Sequence, residues 1–235
     1  MSAPAPAHVH VRRLLAFLAK YWRALLALAA GLVLPLLGFA AIAEDVYEKE
    51  PFDFEEPLML AIHRSSSDGL NHVAGAMSIF GSLKGMLPVT LLLTVLLYRV
   101  RARLGYFALL TLGGVALINT LLKQIFDRPR PALWTPFMPE PDFSFPSGHA
   151  MFASALASML VAVLWPTRWR LPALLLGVFY VLLMMWSRVY IGVHYPTDVT
   201  GGALFSVAWV FGLSQILGIH RVLAPRAPAP SPEGA

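Results

Sequence analysis

Six apolar runs recur along the chain, and each comes close to the length of a membrane-spanning helix. About 20 residues of α-helix cross the hydrocarbon core of a bilayer. Inside lipid, the backbone polar groups must be satisfied within the segment itself, so these runs must be helical. With 57% hydrophobic and only 13% charged residues, the chain is also too apolar for an ordinary soluble domain. The sequence therefore predicts an all-α, polytopic membrane protein with six transmembrane helices in one bundle.

The predicted spans divide the chain into three parts. Residues 1–23 form a basic, cytoplasmic N-terminal segment, and residues 24–219 form the six-helix membrane domain. Residues 220–235 form a tail rich in Pro and Ala, which we predict to be disordered and cytoplasmic. The individual spans are predicted at residues 24–43, 73–98 (mainly from residue 83), 104–122, 149–164, 171–186 and 199–219.

A cleaved signal peptide is the alternative interpretation of the first apolar run. The tripeptide Ala41-Ile42-Ala43 resembles a cleavage site at its end. The run is longer, however, than the roughly 7–15 apolar residues of a signal-peptide core. The length therefore favours an uncleaved first span.

The distribution of Lys and Arg predicts the orientation of the bundle, because cytoplasmic loops are enriched in these residues. With six spans, the N-terminal segment, two short turns and the tail share one face. That face holds eleven of the 18 Lys and Arg residues: Arg12, Arg13, Lys20, Arg23, Arg99, Arg101, Arg103, Arg168, Arg170, Arg221 and Arg226. We therefore predict that this face is cytoplasmic. Because the charge lies in short patches between apolar runs, the net charge of +5 indicates a bilayer partner and no nucleic acid.

The segment 44–71 is acidic and interrupts the apolar pattern. Residues 58–62 within it are apolar and predict a short surface helix. We find no catalytic or metal-ligand spacing among its carboxylates, so we interpret the segment as a solvated cap over the bundle.

Polar stretches of a different kind lie at the ends of the later apolar runs, where ionisable side chains are costly and mark functional sites. In the last of them, Arg188 offers a planar fork of donors suited to phosphate oxygens. His194 and Asp198 are four residues apart, so a helix that begins near Pro196 brings them close together. A carboxylate bonded to one imidazole nitrogen leaves the other nitrogen free as a nucleophile or base.

Three of these stretches read K-x6-R-P, P-S-G-H and S-R-x5-H-x3-D, in that order. The pattern resembles the signature of the type 2 phosphatidic acid phosphatase superfamily of membrane lipid phosphatases. It extends from Lys123 to Asp198, and the first hundred residues add only a compatible topology. The matching positions are Lys123, Arg130, Pro131, Pro146, Ser147, Gly148, His149, Ser187, Arg188, His194 and Asp198.

The resemblance implies a catalytic role for three residues. His194 attacks phosphorus and forms a phosphohistidine, while Asp198 orients its imidazole. His149 protonates the leaving lipid alkoxide and then acts as a base towards the hydrolytic water. Taken singly, each residue also has a structural explanation, such as a buried structural histidine or a helix cap. The occurrence of three motifs in order favours an active site.

The resemblance also implies a phosphate-binding set. Lys123, Arg130 and Arg188 supply positive charge, and Ser147 and Gly148 add the N-terminus of a helix, which favours anions. We expect no metal and no cofactor, because three cations beside the histidines repel a divalent metal. Arg128 lies outside the signature positions; a pair with Asp127 or a lipid headgroup contact is its predicted role.

We therefore predict a metal-independent phosphatase of lipid phosphates or diphosphates in a bacterial inner membrane, with its active site on the extracytoplasmic side. By resemblance, undecaprenyl diphosphate and phosphatidylglycerophosphate (or phosphatidate) are the leading substrates, ahead of the lipid A phosphates. A phosphotransferase that uses the same phosphohistidine is an alternative. A non-catalytic protein that binds or moves a lipid phosphate is another, and it predicts that His194 is dispensable. The motifs carry no information on the lipid tail or the oligomeric state.

Overall fold

The computed structural model describes residues 7–223, and every regular element within that range is a helix. The first helix continues through a π-helical segment, Ala29–Val33, into the second without a break. The helices are α1 (Ala7–Leu28), α2 (Leu34–Glu48), α3 (Glu55–His63), α4 (Asp68–Gly81), α5 (Leu83–Val100), α6 (Ala102–Phe126), α7 (Gly148–Leu164), α8 (Arg170–Ile191), α9 (Pro196–Ile216) and α10 (Ile219–Val222).

Five helical stretches are long and apolar enough to cross a membrane. They are Leu18–Glu48, Leu83–Val100, Ala102–Phe126, Arg170–Ile191 and Pro196–Ile216. The remaining predicted span, the fourth at residues 149–164, corresponds to α7, which is apolar but has only 17 residues. The all-α membrane fold is thus confirmed, with one span shorter than the others.

Two predicted boundaries differ from those of the structure. The first span continues beyond residue 43 to Glu48, and the chain turns at Lys49, whose φ of 60° is left-handed. The second apolar run is divided at Ser82, which adopts an extended conformation between α4 and α5. The part from Leu83 forms the span, as predicted. The proposed N-terminal and tail domains stay predictions, and residues 1–6 and 224–235 lie outside the described range.

Helix α7 occupies the centre of the bundle and packs against α6, α8 and α9. Ala150, Ala153 and Ala155 have no exposed surface. A helix that is apolar on all sides is typically enclosed by other elements. The small side chains of α7 let its neighbours approach closely, which is the usual packing solution for helices in lipid. The central helix therefore fixes the positions of the helix ends around it.

The three motifs meet because the helices that carry them begin or end at the same end of the bundle. The N–H of Ser147, just before α7, donates to the carbonyl of Asp198 in α9 at 3.1 Å. The guanidinium of Arg130, shortly after α6, donates to the carbonyl of Val193, just after α8, at 2.7 Å. These two contacts join the four helix ends into one site.

The segment 44–71 is more than a solvated cap, so that interpretation is corrected. The predicted surface helix over 58–62 is part of α3, which begins at Glu55. Met59 has no exposed surface and Glu55 is only 3% exposed. The two side chains are four residues apart and share one helix face. That face packs beside α8 and α9, which is why it is buried.

The turn after α8 depends on Gly192. Its φ of 87° is left-handed, and a Cβ added there would lie 2.5 Å from the indole of Trp134. That indole donates to the carbonyl of Ile191 at 3.1 Å. The glycine thus lets the Trp134 loop close over the end of α8.

We predict that Gly192→Ala destabilises the folded protein by roughly 1–3 kcal/mol, because it adds backbone strain and displaces Trp134. The measurement is the thermal unfolding midpoint in detergent. Gly212→Ala is the matched control, because nothing lies within 4 Å of a Cβ added at that position. Equal midpoints for the two variants would contradict this explanation of the turn.

Candidate active site

Ionisable side chains are buried where the four helix ends meet. Arg188, His194 and Asp198 have no exposed surface, and Lys123 and His149 are less than one-tenth exposed. Burial of unpaired charge costs several kcal/mol or more, so such groups require partners. The partners of each residue therefore define what the site can do.

His194 and Asp198 lie side by side, as their spacing predicts. The Nδ1 atom of His194 is 3.4 Å from Oδ2 of Asp198, and both side chains are fully buried. Helix α9 begins at Pro196, and Asp198 at its third position accepts the N–H of Tyr195 at 2.8 Å, as in a capping box. The cap that starts the helix thus also aims the carboxylate at His194.

The other nitrogen of His194 faces the cationic part of the site. Its Nε2 atom lies 3.2 Å from Nη1 of Arg130 and 3.7 Å from a carboxylate oxygen of Glu140. With Asp198 behind Nδ1, a lone pair on Nε2 is directed at whatever anion the site holds. This geometry suits an oriented nucleophile.

The imidazole of His149, in the first turn of α7, also lies beside the carboxylate of Glu140. Its Nε2 atom is 3.0 Å from the carbonyl oxygen of Ser78, and its Nδ1 atom is 3.7 Å from a carboxylate oxygen of Glu140. Because a carbonyl only accepts hydrogen bonds, Nε2 carries a hydrogen. Nδ1 is therefore the nitrogen that can exchange a proton with a group in the site.

Arg130 and Arg188 are the two guanidinium groups that pair with Glu140. Arg188 donates to the hydroxyl of Ser78 at 2.6 Å and forms an ion pair with Glu140. Arg130 is 2.8 Å from the second oxygen of Glu140 and donates to the carbonyl of Asp142 at 2.7 Å. Lys123 pairs with the carboxylate of Asp142. All three predicted phosphate-binding cations thus point at one region.

Two loop carboxylates, Glu140 and Asp142, occupy that region, and sequence reasoning missed their role. Burial alone raises the pKa of Glu140, but its contacts with His194 and the charge of Arg188 lower that pKa below the ordinary value. Burial likewise raises the pKa of Asp142, while Lys123 and Arg130 lower it overall. The sequence did indicate that such partners must exist, because the three cations predicted at one site require acidic side chains once they are buried together.

The predicted helix N-terminus is also in place. Ser147 precedes α7 in an extended conformation and has no exposed surface. Its hydroxyl is one of the buried polar groups that lack a hydrogen-bond partner within residues 7–223. A Cβ on Gly148 would lie 2.8 Å from the side-chain oxygen of Asn119. Gly148 therefore leaves room for the side chain of Asn119, in α6, beside the start of α7.

Arg128 lies on the opposite side of Asp198 from the histidine. It donates to Asp198 at 2.6 Å and forms an ion pair with Glu55 at 2.7 Å. The predicted partner, the adjacent Asp127, instead ends α6 in a left-handed conformation. The only sequence signal for the true partners was the surplus of cations near the motifs.

The fold and the site together define a class, a membrane-integral helical bundle with a cation-rich site between two histidines. A family model described as the PAP2 superfamily matches residues 104–220. Phosphatidylglycerophosphatase B of Bacillus subtilis is 30% identical over 173 residues, which cover 71% of this chain and 84% of that protein. The chain belongs to the PAP2 superfamily. Membership confirms the predicted enzyme class, a phosphatase that acts on lipid phosphates.

Two further comparisons agree with this assignment. The undecaprenyl-diphosphatase of Sulfolobus acidocaldarius is 29% identical over 166 residues, which cover 68% of this chain and 77% of that protein. The crystal structure of a PAP2-type phosphatidylglycerolphosphate phosphatase from Bacillus subtilis superposes with a TM-score of 0.70 and 25% identity. The superposed region covers 78% of this chain and 94% of the Bacillus subtilis chain.

We predict that inorganic phosphate is a competitive inhibitor and that Glu140→Gln tightens its binding by several fold. The substitution removes a carboxylate that shares Arg130 and Arg188 with the incoming anion. Because the pKa of Glu140 is lowered, its charge and the stability from its ion pairs are lost only as the pH falls below the ordinary carboxyl range. The effect should thus be constant between about pH 5 and pH 8. The measurement is the inhibition constant for phosphate across that range.

Glu56→Gln is the matched control, because Glu56 is an exposed carboxylate beside Glu55. It removes the same charge without touching either arginine. Phosphate inhibition that is unchanged or weaker in Glu140→Gln would show that the carboxylate does not compete for the site.

Proposed function

We propose that this protein hydrolyses a terminal phosphate from a membrane lipid phosphate or diphosphate, through a phosphohistidine at His194 and without a metal. The observation that carries the proposal is the position of Glu140. Its carboxylate is held by Arg130 and Arg188 and lies 3.7 Å from a nitrogen of His149 and 3.7 Å from a nitrogen of His194. An anion in that position has a nucleophile on one side and a proton donor on the other.

A phosphate monoester carries close to two negative charges near neutral pH. In our proposal it displaces Glu140 and takes over the donors of Arg130 and Arg188, while Lys123 and the start of α7 add positive potential. Donors that are already in place stabilise the charge that develops on the phosphoryl oxygens in the transition state. The unpaired hydroxyl of Ser147 is a further donor beside His149.

The chemical steps follow from the two imidazoles. Nε2 of His194 forms a bond to phosphorus as the bond between phosphorus and the lipid oxygen breaks. The leaving oxygen takes a proton from Nδ1 of His149. A water then attacks the phosphohistidine, gives its proton to the same Nδ1 atom, and releases phosphate as the bond between phosphorus and nitrogen breaks. Asp198 stabilises the positive charge that the His194 ring carries while its Nε2 atom is bonded to phosphorus.

We further propose that the site lies on the extracytoplasmic side of a bacterial inner membrane, as the Lys and Arg distribution predicts. Undecaprenyl diphosphate and phosphatidylglycerophosphate (or phosphatidate) are the leading substrates. Proteins named for the first two of these activities are among the relatives of this chain. The lipid tail would stay in the hydrocarbon while the phosphate reaches the helix ends.

The proposal predicts the outcome of a phosphate-release assay in detergent with these lipids and EDTA. His149→Ala should lower kcat by roughly 10²–10⁴-fold, the usual contribution of a general acid or base. His194→Ala should abolish both turnover and the acid-labile phosphoenzyme, because it removes the nucleophile. Activity of the unsubstituted protein should survive EDTA.

His72→Ala is the control, because His72 is exposed and hydrogen-bonds to the carbonyl of Asp68. Turnover that persists in His194→Ala would overturn the phosphohistidine. Turnover that EDTA abolishes would overturn metal independence. A phosphorylated acceptor lipid in place of free phosphate would identify a transferase.

A further inference from the structure

Arg128 differs from the other three cations of the site in what it contacts. Within residues 7–223, Lys123, Arg130 and Arg188 pair with Glu140 or Asp142, whereas Arg128 pairs with neither. Its carboxylate partners are Asp198, at 2.6 Å, and Glu55, at 2.7 Å. Arg128 therefore lies behind the carboxylate of Asp198, away from the proposed phosphate position.

Glu55 links Arg128 to the start of α9. One carboxylate oxygen of Glu55 accepts a hydrogen bond from Nη2 of Arg128. The other accepts a hydrogen bond from the backbone N–H of Thr197 at 3.1 Å. The positive end of the α9 dipole favours a carboxylate there. Glu55 begins α3 and is held in place by the burial of the helix face that it shares with Met59.

The two carboxylate oxygens of Asp198 contact different partners. Oδ1 accepts Nη1 of Arg128, while Oδ2 accepts the N–H of Tyr195 and faces Nδ1 of His194. Arg128 is itself fixed, since its guanidinium carbon lies 4.1 Å from the centre of the Tyr195 ring. These contacts leave Asp198 one orientation, and that orientation determines which way His194 points.

We propose that Glu55 and Arg128 are a positioning pair that acts through Asp198 on His194. The inference rests on the proposed function, in which His194 is the nucleophile. Because Glu55 neutralises Arg128, the pair directs a hydrogen bond at Asp198 without adding net charge behind it. The acidic segment before α4 is then part of the catalytic apparatus, although it carries no signature residue.

The inference predicts a loss in kcat with little change in KM, because neither residue touches the phosphate. In metal sites, loss of the carboxylate or other group that orients a ligating histidine commonly costs 10–100-fold, and we expect a loss of similar size here. Arg128→Met should lower kcat by about that factor. Arg128→Lys should recover part of it, because an ammonium keeps the charge but not the fork of donors. KM and the inhibition constant for inorganic phosphate should change by less than about threefold.

The double variant tests the pair itself. Arg128→Met alone leaves the buried carboxylates of Glu55 and Asp198 without their shared cation, whereas Glu55→Gln together with Arg128→Met removes one of these carboxylates. The kcat loss in the double variant should therefore be smaller than the product of the two single losses. Independent, multiplicative losses would overturn the proposed pairing.

The experiment measures kcat, KM, the phosphate inhibition constant and the rate of phosphoenzyme formation for all variants. Lys123→Met is the contrasting variant, since loss of a phosphate-binding cation should raise KM. If Arg128→Met raises KM with kcat unchanged, Arg128 binds substrate and the inference fails. If Arg128→Met does not fold, the test uses Arg128→Lys and Glu55→Gln in its place. An unchanged kcat in both of these variants would overturn the inference.

These outcomes separate the inference from the proposed function. Unaltered protein that releases no phosphate overturns the proposed function, and the positioning pair with it. If turnover depends on His194 but not on Glu55 or Arg128, the function stands and only the positioning pair is overturned.

Discussion

Charge balance in a buried space is the constraint on which the rest of this structure depends. Ion pairs within residues 7–223 connect four cations at the site to four carboxylates: Lys123, Arg128, Arg130 and Arg188 with Glu55, Glu140, Asp142 and Asp198. A buried charge without its partner is strongly destabilising, whereas a complete set is close to neutral in free energy. The helix ends are therefore arranged so that each cation has an acid within reach. Phosphate chemistry requires the cations, and the cations require the acids.

The carboxylates fall into two groups that differ in how easily they are replaced. Glu140 and Asp142 lie on the loop between α6 and α7, and their side chains are 21% and 51% exposed. Glu55 and Asp198 belong to helices, and their side chains are 4% and 0% exposed. In the proposed mechanism, an incoming phosphate takes the place of the loop pair but not of the helical pair. The same network would then contain replaceable carboxylates on the substrate side of the site and permanent carboxylates behind the proposed nucleophile, His194.

The features of this site that depend on residues close together in the sequence, such as helix starts, could be predicted from the sequence. Pro196 at the start of α9, Ser147 before α7 and the spacing of His194 and Asp198 are short-range signals, and the structure has each of them in its predicted place. Contacts distant in sequence escaped prediction. Glu55 and Thr197 are 142 residues apart, and they meet because the face of α3 that carries Glu55 and Met59 packs beside α8 and α9.

The loop acids were missed for a different reason. Glu140 and Asp142 lie within the Pro-rich segment 124–145, which has no periodicity to interpret. Their positions follow from the cations around them rather than from any local pattern. A count of buried positive charge against available carboxylates would have indicated that such partners exist, although not which residues supply them.

The shortness of α7 has a consequence for the depth of the site. Seventeen residues rise about 26 Å, which is less than the hydrocarbon thickness of about 30 Å, whereas the first span has 31 residues. The centre of the bundle is thus shallower than its rim. No residue of α7 is exposed, and longer helices enclose it, so the ends of α7 do not have to reach the membrane surfaces. The polar groups at the start of this helix, Ser147 and His149, can therefore lie below the ends of the surrounding spans, in a recess lined by protein and not by lipid.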